Sequence, residues 1–263
     1  MATSSSSGTS ASSSKSASSS STSSSSASSS AQSSSASLSA SSWASWTTSQ
    51  ATAALALYPE TLRNLSDQRG AVKGAQLQVL DNVINTTLPD IIKNREKDGD
   101  PYITQKELSD LMKYKMLHKF RPNLQKYIEE LGEEEVRLAS QKAFKFLKAD
   151  KLKEACNALK TLKGCGPATA SLVLSTYDGS RAAYMSDAAL MTVCGTKGYT
   201  LAEFIDLSTK LRTKANKLGD DWTAQKLQQA IWACLWASTN IHDDAEDKPS
   251  ESLVGTKRMR DTE

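Results

Sequence analysis

The sequence predicts an all-α protein. Between Trp43 and Asn240, apolar residues recur every three or four positions in one segment after another, which is the spacing that forms a buried stripe on a helix. No segment alternates regularly between apolar and polar residues, as half-buried strands do. Two polar segments flank this part of the chain. We therefore expect one all-helical domain at residues 43–241.

The two flanking segments are expected to be disordered tails. Residues 1–42 are nearly all Ser, with some Ala and Thr, and they bury too little apolar surface to offset the entropy lost on ordering. A solvated tail that can be phosphorylated, without a specific partner, is the simplest interpretation. Residues 242–263 are polar and include a short basic string, TKRMR, which is a weak signal for nuclear import.

Two features of the composition limit the location and partners of the protein. The sequence has no apolar segment next to its amino terminus, as a signal peptide needs, and no run of about eighteen apolar residues that could span a membrane. We therefore expect a soluble, intracellular and nuclear protein without a membrane partner. The formal net charge of +3 is too small by itself to indicate a nucleic-acid partner.

The residue types that bind metals are scattered. The histidines His118 and His242 do not belong to a cluster of metal ligands. In an intracellular chain, widely spaced cysteines without C-x-x-C pairing are typical of small buried apolar residues. The sequence thus predicts no metal site and no cofactor. The cysteines are Cys156, Cys165, Cys194 and Cys234.

The first helices are marked by a kink, a turn and a cap. Residues 77–91 carry a clear apolar stripe, which Pro89 must kink or divide because proline lacks an amide hydrogen and clashes with the preceding turn. Residues 94–101 are predicted to form a turn. Thr104, followed by Glu107, forms a capping box that starts the next helix.

The later helices are marked by their buried stripes. Trp232 and Trp236 are four positions apart beside the last stripe, and packing against the core explains them better than a role in binding. The stripes are Leu108, Leu111, Met112 and Met116; Leu124, Tyr127, Ile128 and Leu131; Val136, Ala139, Ala143, Phe144 and Leu147; Leu152, Cys156, Leu159 and Leu162; Phe204, Ile205, Leu211 and Leu218; Leu227, Ile231, Cys234 and Leu235.

Residues 162–171, LKGCGPATAS, join two helices by a tight turn. Gly164 can take the left-handed conformation that ends a helix, here expected to run to Leu162. Gly166 lets the backbone pass close to another molecule. Pro167 suits the first turn of the next helix, whose first residues are small enough for tight helix packing.

The start of that second helix is an expected anion site. Its first amide groups have no partner within the helix and carry a partial positive charge, and both properties favour a phosphate. An ordinary αα-hairpin with a glycine cap is the alternative. It would need only one glycine and no run of small residues.

The hairpin resembles a known DNA-binding motif. Its pattern, LxGxGxxTA, is formed by Leu162, Gly164, Gly166, Thr169 and Ala170, and it is similar to the helix-hairpin-helix of the DNA base-excision glycosylase superfamily, nearest to a little-described eukaryotic branch. The resemblance covers residues 123–193. It implies a glycosylase-like helical fold whose hairpin amides grip duplex DNA, often with a bound monovalent cation. The implied contacts are Lys163, Gly164, Cys165, Gly166 and Thr169.

The second motif of that superfamily is a glycine- and proline-rich loop followed by an aspartate. Here Asp187 starts a helix that follows the hairpin. The interval from Ala168 to Asp187 equals the interval, in the superfamily, from the hairpin lysine position to the catalytic aspartate. The resemblance implies that Asp187 stabilises the cation-like sugar as an N-glycosidic bond breaks, and orients or deprotonates the attacking water. Alternatively, Asp187, or Ser186 beside it, only caps the helix.

Departures from the superfamily narrow the implied activity. Bifunctional members carry a lysine that forms a Schiff base, and here that position is Ala168, so strand-cleaving lyase activity is not expected. Lys163 lies on the other side of the turn and is a poor substitute. The iron–sulfur cysteines of some members are missing, and MSDAAL is not the usual context of the aspartate. Any glycosylase would be monofunctional.

A basic segment before the hairpin offers a second contact with nucleic acid. Between Leu111 and Ile128, basic residues occur without an acidic one and with aromatic residues among them. Basic side chains neutralise phosphates, and an aromatic ring could receive a flipped base. A solvated helix face with core aromatics explains the pattern equally well. The candidate contacts are Lys113, Lys115, Lys119 and Arg121.

The sequence therefore supports two hypotheses. The first is a DNA-binding protein of glycosylase type that removes a base with Asp187. The second is a non-catalytic descendant that keeps the fold as a scaffold for DNA or protein partners. A base-sized pocket that Asp187 faces beside the hairpin would favour the first, whereas an aspartate satisfied in a cap, with no adjoining cavity, would favour the second.

Overall fold

All regular elements of the computed structural model are helices in the residues that it describes, 39–118 and 124–239. The predicted all-α class is therefore confirmed for those ranges. A 3₁₀ turn (Ala40–Ser45) precedes α1 (Thr48–Ala56), α2 (Tyr58–Gln68), α3 (Ala71–Asn82), α4 (Leu88–Asp98), α5 (Gln105–His118), α6 (Leu124–Glu129), α7 (Glu133–Lys148), α8 (Leu152–Leu159), α9 (Pro167–Tyr177), α10 (Asp187–Ala189), α11 (Leu201–Leu218) and α12 (Ala224–Thr239). Two π-helical segments, Val83–Thr87 and Leu190–Cys194, continue α3 and α10.

Helix α9 lies at the centre of the fold. Every residue from Ala168 to Thr176 is buried, because α4, α5, α7, α8 and α11 all pack against this helix. Such close approach requires small side chains, which the run after Pro167 supplies. Ser171 shows how the polar members are accommodated: its hydroxyl donates to the carbonyl of Ala168 at 2.9 Å and accepts from the amide of Met185 at 3.0 Å.

Helix α12 packs against α1, α2, α10 and α11 at the end of the chain. Trp232 on this helix is buried in the hydrophobic core, as predicted, with 6% of its surface exposed. Trp236, one turn later, is half-buried and packs against that core. Its ring centroid lies 6.0 Å from that of Trp232.

Pro89 divides the first stripe without ending the helix. The helical path runs from α3 through the π-helical segment Val83–Thr87 into α4, and Pro89 lies in the first turn of α4, directly after the π-helical segment. The predicted turn at residues 94–101 is wrong for residues 94–98, because α4 continues to Asp98. Arg95 stabilises this last turn by donating to both carboxylate oxygens of Glu107, at 2.7 and 2.9 Å.

The capping box at the start of α5 is confirmed. The amide of Glu107 donates to the hydroxyl of Thr104 at 3.1 Å, and the amide of Thr104 donates to the carboxylate of Glu107 at 2.8 Å. Glu107 therefore serves both the cap of α5 and the end of α4.

Cysteine burial follows the prediction at three positions. Cys156, Cys165 and Cys234 are buried, whereas Cys194 is half-buried. Burial raises the pKa of Cys156 to about 11 and that of Cys165 to about 12, so both are protonated thiols near neutral pH.

In the described ranges no helix has the length and apolar character to cross a bilayer, and His, Cys, Asp and Glu side chains form no cluster of three that could hold a metal ion.

Candidate functional site

The hairpin turn between α8 and α9 contains the predicted left-handed glycine. Gly164 has φ +84°, which a residue with a side chain adopts only at a cost. Helix α8 ends at Leu159, three residues earlier than expected. The amide of Leu162 bonds to the carbonyl of Leu159 at 3.1 Å, so the chain has already left α-helical geometry before the glycine.

The two glycines of the turn differ in their surroundings: Gly164 faces another helix, and Gly166 faces open space. A Cβ atom on Gly164 would lie 2.9 Å from the Cβ of Tyr127 in α6, so this glycine allows α6 to pack against the turn. A Cβ atom on Gly166 would meet no other atom within 4 Å, and its φ of −82° suits any residue. Gly166 therefore keeps the surface before α9 open without being required by the fold.

The start of α9 combines helix amides with a lysine from another helix. Gly166 is the N-cap of α9, and no side chain of the described residues caps that end. Lys115 of α5 donates from Nζ to the hydroxyl oxygen of Thr169 at 3.0 Å. The hairpin and the basic segment, which the sequence suggested as separate contacts, therefore meet at the first turn of α9.

The other predicted contacts are placed differently. Lys163 is exposed, pairs with Glu130 at 3.1 Å and lies 4.7 Å from the centre of the Tyr127 ring. The side chain of Cys165 is buried and its amide bonds to the carbonyl of Leu162, so it offers no free contact. Lys113 pairs with Asp110 and points to the other side of α5 from Lys115, two positions away. Lys119 and Arg121 lie outside the described residues.

Asp187 is not the residue that caps α10. Ser186 is the N-cap: its hydroxyl accepts from the amide of Ala189 at 3.2 Å and from Gln228 Nε2 at 2.8 Å. The Asp187 carboxylate accepts a hydrogen bond from the hydroxyl of Tyr199 and lies 3.9 Å from Lys197 Nζ. About a third of its side chain, 34%, is exposed.

The partners of Asp187 lie on one ordered loop, residues 195–200. Glu203 of α11 organises this loop by accepting from the amides of Gly198 and Thr200, both at 2.8 Å, and from the hydroxyls of Thr196 and Thr200. These bonds lower the pKa of Glu203 to about 2. Because the loop carries Lys197 and Tyr199, Glu203 fixes the side chains that contact Asp187.

A cleft of about 280 Å³ lies between the hairpin and Asp187. Its lining includes Lys115, Gly166, Ala168 and Thr169 near the start of α9, and Tyr184 and Asp187 near the start of α10. The cleft therefore combines helix amides and a lysine, which attract an anion, with a carboxylate, which attracts positive charge.

A second cavity, of about 80 Å³, adjoins Asp187 and Tyr184 on the side of α12. We call it the aromatic–amide pocket. Apart from Asp187, Leu172 and two small residues, its walls are aromatic rings and side-chain amides. The rings are Tyr58, Tyr114, His118, Tyr184, Trp232 and Trp236; the amides are Asn85, Gln225, Gln228 and Gln229.

A buried carboxylate holds one wall of this pocket in place. Asp81 accepts from the hydroxyl of Tyr58 at 2.6 Å, from the hydroxyl of Tyr114 at 2.9 Å and from Asn85 Nδ2 at 2.9 Å. Burial raises the pKa of both tyrosines above the usual value, so they remain neutral donors. Burial also lowers the pKa of His118, which favours the neutral imidazole near pH 7.

The amides of the pocket are linked to one another. Gln229 Nε2 donates to Asn85 Oδ1 at 3.0 Å, and Gln225 Nε2 donates to Gln228 Oε1 at 3.1 Å. The amide of Tyr184 donates to Gln225 Oε1 at 2.9 Å. Since each side-chain amide nitrogen carries two hydrogens, these bonds orient the groups and leave further donor capacity.

No protein-family model, curated protein or solved structure matches this chain. The resemblance to the helix-hairpin-helix superfamily therefore rests on the hairpin motif and on Asp187, and it stays a prediction.

Sequence reasoning missed the aromatic–amide pocket. One signal was available: Gln225, Gln228 and Gln229 follow helical spacing next to Trp232, and a buried glutamine on an apolar stripe is informative. Gln228 is only 3% exposed. Asn85 lies in the π-helical segment Val83–Thr87, and a second π-helical segment follows Asp187. Such segments are frequent at functional sites, but the sequence gives no local sign of them.

Proposed function

We propose that the protein binds duplex DNA through the hairpin and acts as a monofunctional DNA N-glycosylase in base excision repair. The observation that carries the proposal is the position of Asp187, which borders both the cleft beside the hairpin and the aromatic–amide pocket. A base excision enzyme needs these three parts next to each other: a backbone grip, a carboxylate at the sugar and a pocket for the extruded base.

In this proposal the DNA backbone contacts the first turn of α9. Gly166 is exposed, and the cleft reaches Ala168 and Thr169, which carry the first amide hydrogens of α9 although both residues are largely buried. Lys115 adds a positive charge beside Thr169. The resemblance also implies a monovalent cation at the hairpin turn.

The chemical step would take place at Asp187. With the base in the aromatic–amide pocket, the attached sugar would lie against this carboxylate, which stabilises positive charge on the sugar as the N-glycosidic bond breaks. Water then adds to the sugar carbon, the base leaves with the bonding electron pair, and Asp187 accepts the proton of the water, which then passes through solvent to the departed base. Ala168 occupies the hairpin position of the Schiff-base lysine, so no strand cleavage is proposed.

The test is release of free base from duplex oligonucleotides that carry different lesions, measured as abasic sites. We expect Asp187→Asn to lower the rate about a hundredfold or more, while its affinity for the duplex stays within about twofold. Asp220→Asn, at an exposed aspartate, is the matched control and should behave as the unaltered protein. Undiminished base release by Asp187→Asn would contradict the assigned role.

The second candidate is a non-catalytic scaffold that binds DNA or a protein. The contacts of Asp187 with Tyr199 and Lys197 favour it, because they engage the carboxylate within the protein. A scaffold would bind duplex DNA, or a protein in its place, and release no base from any lesion in the panel.

A further inference from the structure

We infer that the aromatic–amide pocket accepts a single-ring pyrimidine base and discriminates against the fused rings of purines. This inference deepens the proposed function, on which it rests for the source of the base. It names the class of base that the pocket can take.

The aromatic walls suit a flat heterocycle. The ring centroid of Trp232 lies 5.2 Å from that of Tyr58, 5.7 Å from that of His118 and 6.0 Å from that of Trp236. These rings lie close to one another and all line the cavity, so a base that enters it would meet aromatic side chains, on which any base can stack. Asp187 and Tyr184 line the same cavity.

The size of the pocket separates the two classes of base. A closed cavity of about 150 Å³ is known to hold a benzene ring, whereas this pocket has about 80 Å³ and opens to solvent. A single ring therefore requires part of the wall to move outward, and a fused ring requires more of the wall to move.

Only part of the wall can give way. Tyr114, Trp232 and Gln228 are buried, with 5%, 6% and 3% of their surfaces exposed, and Gln228 is bonded to Ser186, the cap of α10. Tyr58 is held by Asp81, whereas Trp236 is half-buried. Movement of the Trp236 ring would admit one ring, but a second ring would displace the buried side chains and disturb the cap beside Asp187.

The amides can read the edge of a pyrimidine. A pyrimidine presents carbonyl acceptors together with ring or exocyclic N–H donors, and Asn85, Gln225 and Gln229 carry both kinds of group on half-buried side chains. Their mutual hydrogen bonds set their orientation before a base arrives, which lowers the entropy lost on binding.

The test uses deoxynucleosides as probes for the full-length protein. Chemical shifts of the tryptophan indole N–H groups are followed by nuclear magnetic resonance during titration with thymidine, deoxyuridine, deoxyadenosine or deoxyguanosine. We expect the pyrimidine nucleosides to bind at least about tenfold more tightly than the purine nucleosides. Equal or tighter binding of the purines, or no binding of the pyrimidines, would overturn the inference.

A matched pair of variants locates the effect. Gln229→Ala should weaken pyrimidine binding about fivefold, whereas Gln78→Ala, at an exposed glutamine on α3, should leave it unchanged. If Gln229→Ala does not fold, the comparison of nucleosides on the unaltered protein decides the question. Fluorescence anisotropy with labelled duplex DNA separates the two proposals. Duplex binding without a preference for pyrimidine nucleosides would support the hairpin contact and reject the inference. A pyrimidine preference without duplex binding would support the inference and reject the hairpin contact.

Discussion

Gly164 and Gly166 lie two positions apart in the hairpin, yet the structure gives them different tasks. Gly164 has a left-handed backbone and faces Tyr127, so it serves the fold. Gly166 has an ordinary backbone conformation and faces open space, so no contact within the fold requires a glycine there. In the proposed function, this glycine leaves the start of α9 open to a phosphate.

Substitutions at these two glycines should separate stability from binding. Gly164→Ala should lower the free energy of unfolding by about 1–3 kcal/mol, because the side chain adds backbone strain and a clash with Tyr127. Gly166→Ala should change it by less than about 0.5 kcal/mol. Denaturant unfolding measures both values.

Gly166→Leu extends this comparison to function. It should keep the helical circular dichroism spectrum and abolish affinity for duplex DNA, because the larger side chain fills the open space before α9 through which a phosphate would approach. Unchanged affinity in this variant would reject the hairpin as the DNA contact.

Among the structural elements, the loop at residues 195–200 depends on a single carboxylate. The lowered pKa of Glu203, about 2, results from its hydrogen bonds to Thr196, Gly198 and Thr200. A carboxyl group whose pKa is lower in the folded state stabilises the fold above its unfolded pKa and loses this effect as the pH falls through its folded pKa. The contribution of Glu203 is therefore complete above pH ~4.5 and decreases towards pH 2.

Glu203→Gln should therefore lower stability at pH 7 by about 1 kcal/mol, the order of a lost helix cap. Its unfolding temperature should approach that of the unaltered protein as the pH falls towards 2. Glu135→Gln, at an exposed residue in the first turn of α7, controls for the general effect of removing a carboxylate. A constant difference between Glu203→Gln and the unaltered protein from pH 7 to pH 2 would contradict this account.

The sequence predicted those elements whose determinants are local. The capping box of α5, the left-handed Gly164 and the buried stripes each depend on neighbouring residues. The predicted start of the turn after α4 was wrong, because Arg95 bonds to Glu107 across a turn and α4 continues further. The aromatic–amide pocket was missed because Tyr58, Asn85 and Trp232 come from distant segments. Asp187 was found through the resemblance, whereas its contacts with Tyr199 and Lys197 depend on how the later loop folds back.

On the scale of the whole molecule, the fold and not the composition places positive charge at the start of α9. The net charge of +3 is small, but Lys115 reaches the start of α9, where helix amides add to its field. Lys113, on the same helix, is paired with Asp110 and does not line the cleft.

This difference predicts the salt dependence of DNA binding. Lys115→Ala should reduce the slope of log K against log salt concentration by about 1, because one fewer counterion is released. Lys113→Ala should leave the slope unchanged. Equal reductions in both variants would show that the contact is diffuse and is not centred on the hairpin.

The burial of α9 on all sides has a mechanical consequence. A helix enclosed by five neighbours cannot swing out as a lid would, so the hairpin at its amino end is a fixed support. In the proposed function, any bending and unstacking must then occur in the double helix. Sequences or lesions that weaken base stacking would be engaged first, and the rigidity of the protein would become a means of finding damage.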